Sequence, residues 1–126
     1  MNEQQAYLIR NSQQEGVDIT SSGLQIRHDR VGEGKQPGRT STVVVHYRGS
    51  LVDGTVFDAS YERGAPLTFR LDQVIRGWTE GLQLMREGGQ ATLVIPATLG
   101  YGSGGAGADI PPNATLIFTV ELLTVK

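Results

Sequence analysis

Cysteine is absent from the 126-residue sequence, and this absence excludes disulfide bonds and thiol catalysis. Basic residues are not in excess either, because 11 Lys and Arg stand against 13 Asp and Glu, for a formal net charge of −2. No cluster of Lys and Arg marks a phosphate-binding face. The sequence therefore predicts no nucleic-acid partner.

Long apolar runs are also lacking. None approaches the ~18 consecutive residues that are needed to span a bilayer, so no membrane partner is expected. The segment 1–14 is polar and lacks the apolar core of a secretion signal. The sequence as it stands predicts a cytoplasmic protein, and a periplasmic one if an export signal has been removed. The lack of cysteine fits both compartments.

The residue patterns of several catalytic classes are missing as well. The two histidines, His28 and His46, are too few for the usual ligand sets of metals, and alternation places His46 on the outer face of a strand. No serine lies in a nucleophile-elbow pattern. The glycine-rich segment 100–105 lacks the Lys-Ser/Thr of a phosphate-binding loop. The sequence therefore predicts no metal site, no cofactor and no covalent catalysis.

Glycine, in contrast, is abundant. Its 17 residues make up about 13% of the chain, against a usual share of ~7%. They stand between segments in which apolar and polar residues alternate, which is typical of strands joined by tight turns. The pattern predicts strands at 24–26, 42–51, 55–58, 67–71, 90–96 and 114–125. The segments 59–66 and 97–113 between them are expected to be loops.

The only tryptophan, Trp78, lies in a segment with helical spacing of its apolar residues. This spacing predicts a short helix over 74–85, although its glycines make it a poor helix former. Asp72 is expected to cap its N-terminus, and Gly88 with Gly89 to end it. A second, polar helix is expected over 3–14, ending at Gly16.

These elements predict an α+β fold, in which an antiparallel sheet of about five strands curls around one short α-helix. We expect an N-terminal helical extension or linker over 1–20 and one domain over 21–126. Five aromatic side chains should point inwards: Tyr47, Phe57, Phe69, Trp78 and Phe118. At this point they fit a plain hydrophobic core as well as the wall and floor of a pocket.

Asp58 follows Phe57 directly, so strand alternation predicts that the two side chains point to opposite faces unless a bulge intervenes. An acid beside the aromatic cluster is either a solvated turn residue or a polar group of a site.

Five motifs, taken together and in this order, resemble the FKBP-type peptidyl-prolyl cis–trans isomerases. They are Val-Val-His-Tyr-Arg-Gly at 44–49, Asp-Gly at 53–54 with Phe-Asp-Ala-Ser at 57–60, Val-Ile-Arg-Gly-Trp at 74–78, Gly-Tyr-Gly at 100–102 and Ile-Pro-Pro-Asn-Ala-Thr-Leu-Ile-Phe at 110–118. The sequence Gly-Trp-Thr-Glu-Gly-Leu at 77–82 resembles their bacterial Mip-like branch. The resemblance runs from about residue 24 to residue 125.

The resemblance implies an enzyme that accelerates rotation about X–Pro peptide bonds by desolvation and distortion in an aromatic pocket, and so assists protein folding. It implies proline-containing peptides and unfolded proteins as partners, and rapamycin-type macrolides as inhibitors. Two other functions remain open: a non-catalytic module that binds proline peptides or macrolides, and a folding chaperone.

The resemblance also assigns roles to residues. Trp78 would be the floor of the pocket, with Tyr47, Phe57 and Phe118 as its walls. The Ile75 backbone N–H and the Tyr101 hydroxyl would donate to substrate carbonyls, and Asp58 would be the polar group beside the pocket. The implied substrate- or inhibitor-binding residues are Arg63, Leu67, Phe69, Val74 and Ile110.

Three positions depart from the commonest pattern of the family. Leu67 stands where an aromatic residue is frequent, Ala106 and Gly107 occupy a loop tip that often carries larger residues, and Asp109 replaces an apolar residue. These departures are expected to affect substrate preference and macrolide affinity.

Overall fold

The computed structural model describes residues 2–126, and its central element is a nine-residue strand, Thr42–Ser50. Val43, Val45, Tyr47 and Gly49 alternate with more exposed neighbours along it and are buried. This alternation confirms the inner face that the sequence predicts.

Seven antiparallel strands form a single sheet in the order β1-β2-β6-β7-β3-β4. The remaining strand, β5, pairs with residues 42–45 of β3, whereas β4 pairs with residues 48–50. The strands are β1 (Val17–Ile19), β2 (Gln25–Arg30), β3 (Thr42–Ser50), β4 (Val56–Ala59), β5 (Leu67–Arg70), β6 (Gln90–Ile95) and β7 (Leu116–Val125). The α+β class with its sheet and short helix is confirmed. The sheet is larger than the expected five strands, partly because β1 is short and mostly exposed and so leaves no alternation signal.

The helix α3 (Arg76–Leu82) packs against the inner face of the sheet through Trp78 and Leu82, which are buried. Two glycines make this approach feasible. A Cβ atom on Gly77 would lie 2.6 Å from Ile95 Cγ2, and one on Gly81 would lie 2.9 Å from Leu93 Cδ1. These glycines therefore weaken the helix by propensity but allow it to reach the sheet.

The prediction that Asp72 caps the N-terminus of this helix is wrong. Ile75 occupies the N-cap position without a side-chain hydrogen bond, and α3 ends at Leu82 instead of 85. Asp72 lies in a 3-10 turn, Leu71–Gln73, where its carboxylate pairs with Arg70 Nε at 2.8 Å. The turn and the extended Val74 separate Asp72 from the first turn of α3, so its side chain bonds elsewhere.

The N-terminal helix α1 (Glu3–Ser12) begins at Asn2, whose side chain accepts a hydrogen bond from the Gln5 N–H at 2.9 Å. Its C-cap is Gln13, so the helix ends before the expected Gly16. The helix is attached to the sheet by side-chain hydrogen bonds. The Thr115 N–H donates to Gln4 Oε1 at 2.6 Å, and Asn11 Nδ2 donates to Gln25 Oε1 at 2.8 Å.

Part of the expected loop 59–66 is a one-turn helix, α2 (Ser60–Arg63). Its Ser60 is fully buried and accepts a hydrogen bond from the Tyr47 N–H at 2.7 Å. His46, expected on the surface, is half-buried, with Nδ1 2.9 Å from Ser60 Oγ and its ring stacked on Tyr61 at 4.7 Å. These contacts attach α2 to β3 beside Tyr47, which belongs to the aromatic cluster.

Candidate active site

A bulge in β4 brings two neighbouring side chains to the same side. Gly49 of β3 pairs with Asp58, whereas the next residue, Ser50, pairs with Val56, so Phe57 is the extra residue in β4. The side chains of Phe57 and Asp58 consequently both line one cavity. Of the two alternatives that the sequence left open, the structure therefore shows the bulge and not the placement of Phe57 and Asp58 on opposite faces.

This cavity has a volume of about 510 Å³ and lies between the inner face of the sheet and the N-terminal end of α3. Its lining is mostly aromatic and aliphatic. The lining residues are Tyr47, Phe57, Asp58, Phe69, Gln73, Val74, Ile75, Trp78, Tyr101 and Phe118. All residues expected to be catalytic are in this set, together with Phe69 and Val74 from the expected binding residues.

Trp78 lies at the bottom of the cavity and is enclosed by three other rings. Tyr47, Phe69 and Phe118 meet it edge to face, with ring centroids 5.1, 5.4 and 5.3 Å from its own. Only 4% of Trp78 is exposed. Trp78 therefore belongs to the hydrophobic core and also lines the cavity, and its role as the floor of a proline pocket stays a prediction.

Phe57 and Phe118 form another part of the lining, and their rings are 5.5 Å apart and nearly perpendicular. Gly49 lies directly behind them in β3. A Cβ atom at Gly49 would be 2.6 Å from Phe118 Cε1 and 2.7 Å from Phe57 Cζ. The absence of a side chain at Gly49 thus sets the position of both rings.

Three polar groups meet at the edge of the cavity. The Tyr47 hydroxyl donates a hydrogen bond to Asp58 Oδ2, and Arg63 Nη1 donates to Asp58 Oδ1 at 2.7 Å. Arg63 Nη2 also donates to the Tyr47 hydroxyl oxygen at 3.2 Å. Arg63 is therefore connected to the cavity through Asp58 and Tyr47, although it is not one of the lining residues.

The acid–base properties of this cluster follow from its contacts. Burial, reinforced by the hydrogen bond to Asp58, raises the pKa of Tyr47 from 10.0 to about 12. Burial opposes ionisation of Asp58, but the hydrogen bonds from Tyr47 and Arg63 outweigh it and lower the pKa of the carboxyl. Near neutral pH the cavity edge thus carries an ionised carboxylate and a protonated phenol, neither of which exchanges a proton readily.

Two further expected residues line the cavity. Ile75 is the N-cap residue of α3, and its carbonyl accepts hydrogen bonds from the N–H groups of Trp78 and Thr79 at 2.9 and 3.1 Å. Tyr101 stands on the segment between β6 and β7, and 42% of it is exposed. Its hydroxyl has no hydrogen-bond partner within residues 2–126, which leaves it available to a ligand.

The structure does not bring every expected binding residue to the cavity surface. Leu67 is on β5, where it pairs with Val45 and packs half-buried against the core. Ile110 is only 6% exposed and belongs to the core, with its N–H and carbonyl bonded to Ala106. Gln73, in contrast, lines the cavity although no sequence pattern pointed to it.

Neither a metal-binding group nor a membrane helix is found in the part of the chain that the structure describes. Within residues 2–126, no three His, Cys, Asp or Glu side chains are grouped so that they would hold a metal ion. None of the helices over the same residues has the length and apolar character needed to cross a membrane.

Comparison with known proteins gives the class that this fold and cavity belong to. The family model for FKBP-type peptidyl-prolyl cis-trans isomerases matches residues 33–123. The chain therefore belongs to this family, as its motifs predict.

Similar proteins identify the branch of the family as the bacterial one that includes FkpA and Mip. A probable FKBP-type peptidyl-prolyl cis-trans isomerase FkpA from Neisseria meningitidis is 53% identical over 121 residues, covering 96% of this chain and 44% of that protein. The outer membrane protein MIP of Legionella longbeachae is 46% identical over 121 residues, covering 96% of this chain and 52% of that protein. The crystal structure of FkpA from Escherichia coli has a TM-score of 0.96 at 49% identity, covering 98% of this chain and 58% of that one. The chain spans about half the length of the curated relatives it matches.

Proposed function

We propose that this protein catalyses cis–trans isomerisation of X–Pro peptide bonds and thereby assists protein folding. The observation that carries the proposal is the aromatic cavity of about 510 Å³ above Trp78, bordered by few polar groups. Its walls suit an apolar ring such as the pyrrolidine of proline.

The chemistry of the X–Pro bond explains how such a cavity accelerates the reaction. Resonance keeps the bond planar, with a barrier of ~20 kcal/mol and uncatalysed turnover in tens of seconds. The twisted transition state has lost this resonance and is less polar than the ground state. Transfer from water to an aromatic cavity therefore favours the twisted state. An acceleration of ~10⁵-fold requires ~7 kcal/mol of such preference.

The polar groups at the cavity edge hold the substrate and do not transfer protons. The Ile75 N–H and the Tyr101 hydroxyl donate to carbonyl oxygens of the peptide on either side of the proline ring. Asp58, kept ionised by Tyr47 and Arg63, is a poor general acid near neutral pH. It contributes a fixed negative charge beside the imide instead.

A protease-coupled or NMR assay on a short X-Pro peptide tests the proposal. Tyr101→Phe removes one donor to the substrate and should lower kcat/KM about two- to tenfold, the usual effect of one lost hydrogen bond. Tyr7→Phe on α1 is the matched control, because it deletes a hydroxyl outside the cavity and should leave kcat/KM unchanged. No acceleration by the intact protein would overturn the proposal.

Rapamycin-type macrolides are proposed as ligands of the same cavity. Trp78 is the only tryptophan, so a titration followed by its fluorescence reports directly on occupancy of the floor. Saturable quenching or enhancement supports binding, and an unchanged spectrum at high macrolide concentration contradicts it. Tight binding without turnover of X-Pro peptides would favour the binding-module function. Ala106 and Asp109 are where we expect the affinity to be set, whereas Leu67, packed against the core, can affect it only through its neighbours.

Unfolded protein clients are the proposed physiological substrates. A Tyr101→Ala variant separates the cavity from a general chaperone surface. If client refolding depends on the cavity, the variant slows the proline-limited phase. If suppression of aggregation survives the substitution, the chaperone function rests on another surface.

We further propose that residues 21–126 carry the isomerase activity and that residues 1–20 are an extension attached to it. The compartment stays a prediction, with the cytoplasm and the periplasm as its two alternatives. Fractionation of cells that produce the protein from its own gene, followed by immunodetection, separates the two.

A further inference from the structure

A second, smaller cavity adjoins the proposed proline cavity. It has a volume of about 290 Å³, and Val74 lines both cavities. The second cavity differs in chemical character, because its other lining residues include Arg39, Arg76, Asp72 and Glu80. A peptide that fills the first cavity and continues past Val74 thus meets a charged surface.

The carboxylates of the second cavity are engaged in the fold, whereas its guanidinium groups are not. Asp72 pairs with Arg70 at 2.8 Å, and Glu80 accepts a hydrogen bond from Ser22 at 2.5 Å. Arg39 and Arg76 are exposed, and over residues 2–126 neither lies within 4.0 Å of a carboxylate. Glu80 keeps its negative charge beside the neutral Ser22, whereas Arg70 balances that of Asp72. Three arginines against two carboxylates therefore leave one net positive charge at this cavity, and Arg39 and Arg76 are its cations without a carboxylate partner.

Geometry relates this cavity to the sequence of a substrate. An extended peptide advances about 3.3 Å per residue, so side chains one to three positions from the proline reach past Val74. We propose that the second cavity is a specificity subsite, in which Arg39 and Arg76 bind an Asp or Glu side chain of the substrate close to the proline. This inference rests on the proposed isomerase function and names its preferred substrates as acidic proline peptides.

Matched peptides test this preference. Three series carry Glu, Gln or Lys at each of the three positions before and after the proline, and kcat/KM is measured at low salt. At one position or more, kcat/KM should be about three- to tenfold higher for the Glu peptide than for the Lys peptide, as for exposed ion pairs acting together. The ratio should fall towards one at 1 M salt, because the Debye length is then only about 3 Å and exposed charges are screened from each other.

Charge-removing variants locate the effect. Arg39→Gln combined with Arg76→Gln should abolish the Glu-over-Lys ratio and keep kcat/KM for the Gln peptides within about twofold. Arg48→Gln makes the same kind of charge change at an exposed position of β3 that lines neither cavity, and it should keep the ratio. A ratio near one at every position, or a ratio that survives the double substitution, overturns the subsite.

The two proposals fail separately. Acceleration of the Gln peptides tests the isomerase function, and the Glu-over-Lys ratio tests the subsite. If no peptide is turned over, the dissociation constants of the same peptides, followed by Trp78 fluorescence, give the ratio without catalysis. Equal affinities for Glu and Lys peptides then count against the subsite.

Discussion

At the residue scale, the missing side chain of Gly49 governs the shape of the cavity. We expect Gly49→Ala to displace Phe57 and Phe118, because the added methyl group would lie well inside their van der Waals contact. Overpacking of this kind costs about 1–3 kcal/mol of unfolding free energy. We also expect kcat/KM for an X-Pro peptide to fall at least tenfold, because a displacement near 1 Å costs about that much or more.

Gly104→Ala is the control for this substitution. A Cβ atom there has no heavy atom within 4 Å, and the backbone conformation of Gly104 is not left-handed. Its stability and activity should match those of the unmodified protein. Equal activity of Gly49→Ala and Gly104→Ala would show that the ring positions do not matter for catalysis.

Tyr47 gives a second prediction at this scale. Its pKa is about 12 in the folded protein and 10.0 in its ordinary state. A raised pKa contributes stability that is complete below pH 10 and is lost as the pH rises through 12. The difference in unfolding free energy between the unmodified protein and Tyr47→Phe should therefore be constant from pH 7 to 9 and shrink above pH 10.

Urea denaturation over pH 7–11.5 measures this difference. Because the two proteins share every other titrating group, the subtraction isolates Tyr47. Tyr7→Phe, which removes a hydroxyl of α1 outside the cavity, serves as the control for the loss of a phenol. A constant difference up to pH 11.5 for Tyr47→Phe would contradict the assigned burial and hydrogen bond.

At the element scale, α1 and β1 form an attached unit outside the cavity. Removal of residues 1–20 takes away the Gln4–Thr115 and Asn11–Gln25 hydrogen bonds and leaves β2 as an edge strand. We expect a lower free energy of unfolding, but kcat/KM within about twofold, because no cavity residue is removed. Circular dichroism and the X-Pro assay measure the two effects.

Two outcomes bear on this expectation in opposite ways. A folded, active truncated chain supports the division at residue 20. A folded chain that has lost its activity would show that α1 or β1 acts on the cavity. The substitution Asn11→Ala, which removes only one of the attachments, should cause a smaller loss of stability with full activity.

Elements with a strong period were the ones that the sequence predicted well. The inner face of β3 and the spacing around Trp78 depend on burial of every second or every third to fourth residue, which the order of apolar and polar residues reveals. The one-turn helix α2 and strand β1 could not be predicted, because their stability comes from distant partners such as Tyr47 and β2. The cap by Asp72 failed for a local reason, because a 3-10 turn and the extended Val74 separate it from α3 and the nearby Arg70 binds its carboxylate.

The candidate site divides along a similar line. The inward aromatic residues were predicted from alternation and from the motifs, but the presence of Phe57 and Asp58 in the same cavity depends on the bulge at Phe57, which the sequence offered only as an alternative. Leu67 and Ile110 were assigned by resemblance, yet their side chains pack into or against the core here. Gln73 was missed because a polar residue in a turn carries no pattern.

At the scale of the whole molecule, acid should destabilise the fold through a few carboxylates. Hydrogen bonds from the Thr55 and Val125 backbones lower the pKa of Asp53 and Glu87, and those from Tyr47 and Arg63 lower that of Asp58. A lowered pKa contributes stability that is present above the ordinary values of 3.8 and 4.5 and is lost as the pH falls through the folded value.

Thermal unfolding between pH 7 and pH 2 measures this loss. The melting temperature should be nearly constant from pH 7 to 5 and fall steeply below pH 4. Asp58→Asn should show a smaller fall than the unmodified protein, because one of the responsible groups is gone. Asp109→Asn, a matched change in an exposed loop, should fall like the unmodified protein; equal falls for both variants would exclude Asp58 as a contributor.

The position of β7 has a consequence for how the protein is made. This last strand lies between β6 and β3 and supplies Phe118. A growing chain on the ribosome holds Tyr47 and Trp78 early, but the two halves of its sheet have no partner between them until residues 116–125 leave the exit tunnel. Such pairing between distant segments forms slowly and late. The newly made protein therefore gains its cavity only after residues 116–125 have been translated, and a chain interrupted before them exposes aromatic side chains without a complete cavity.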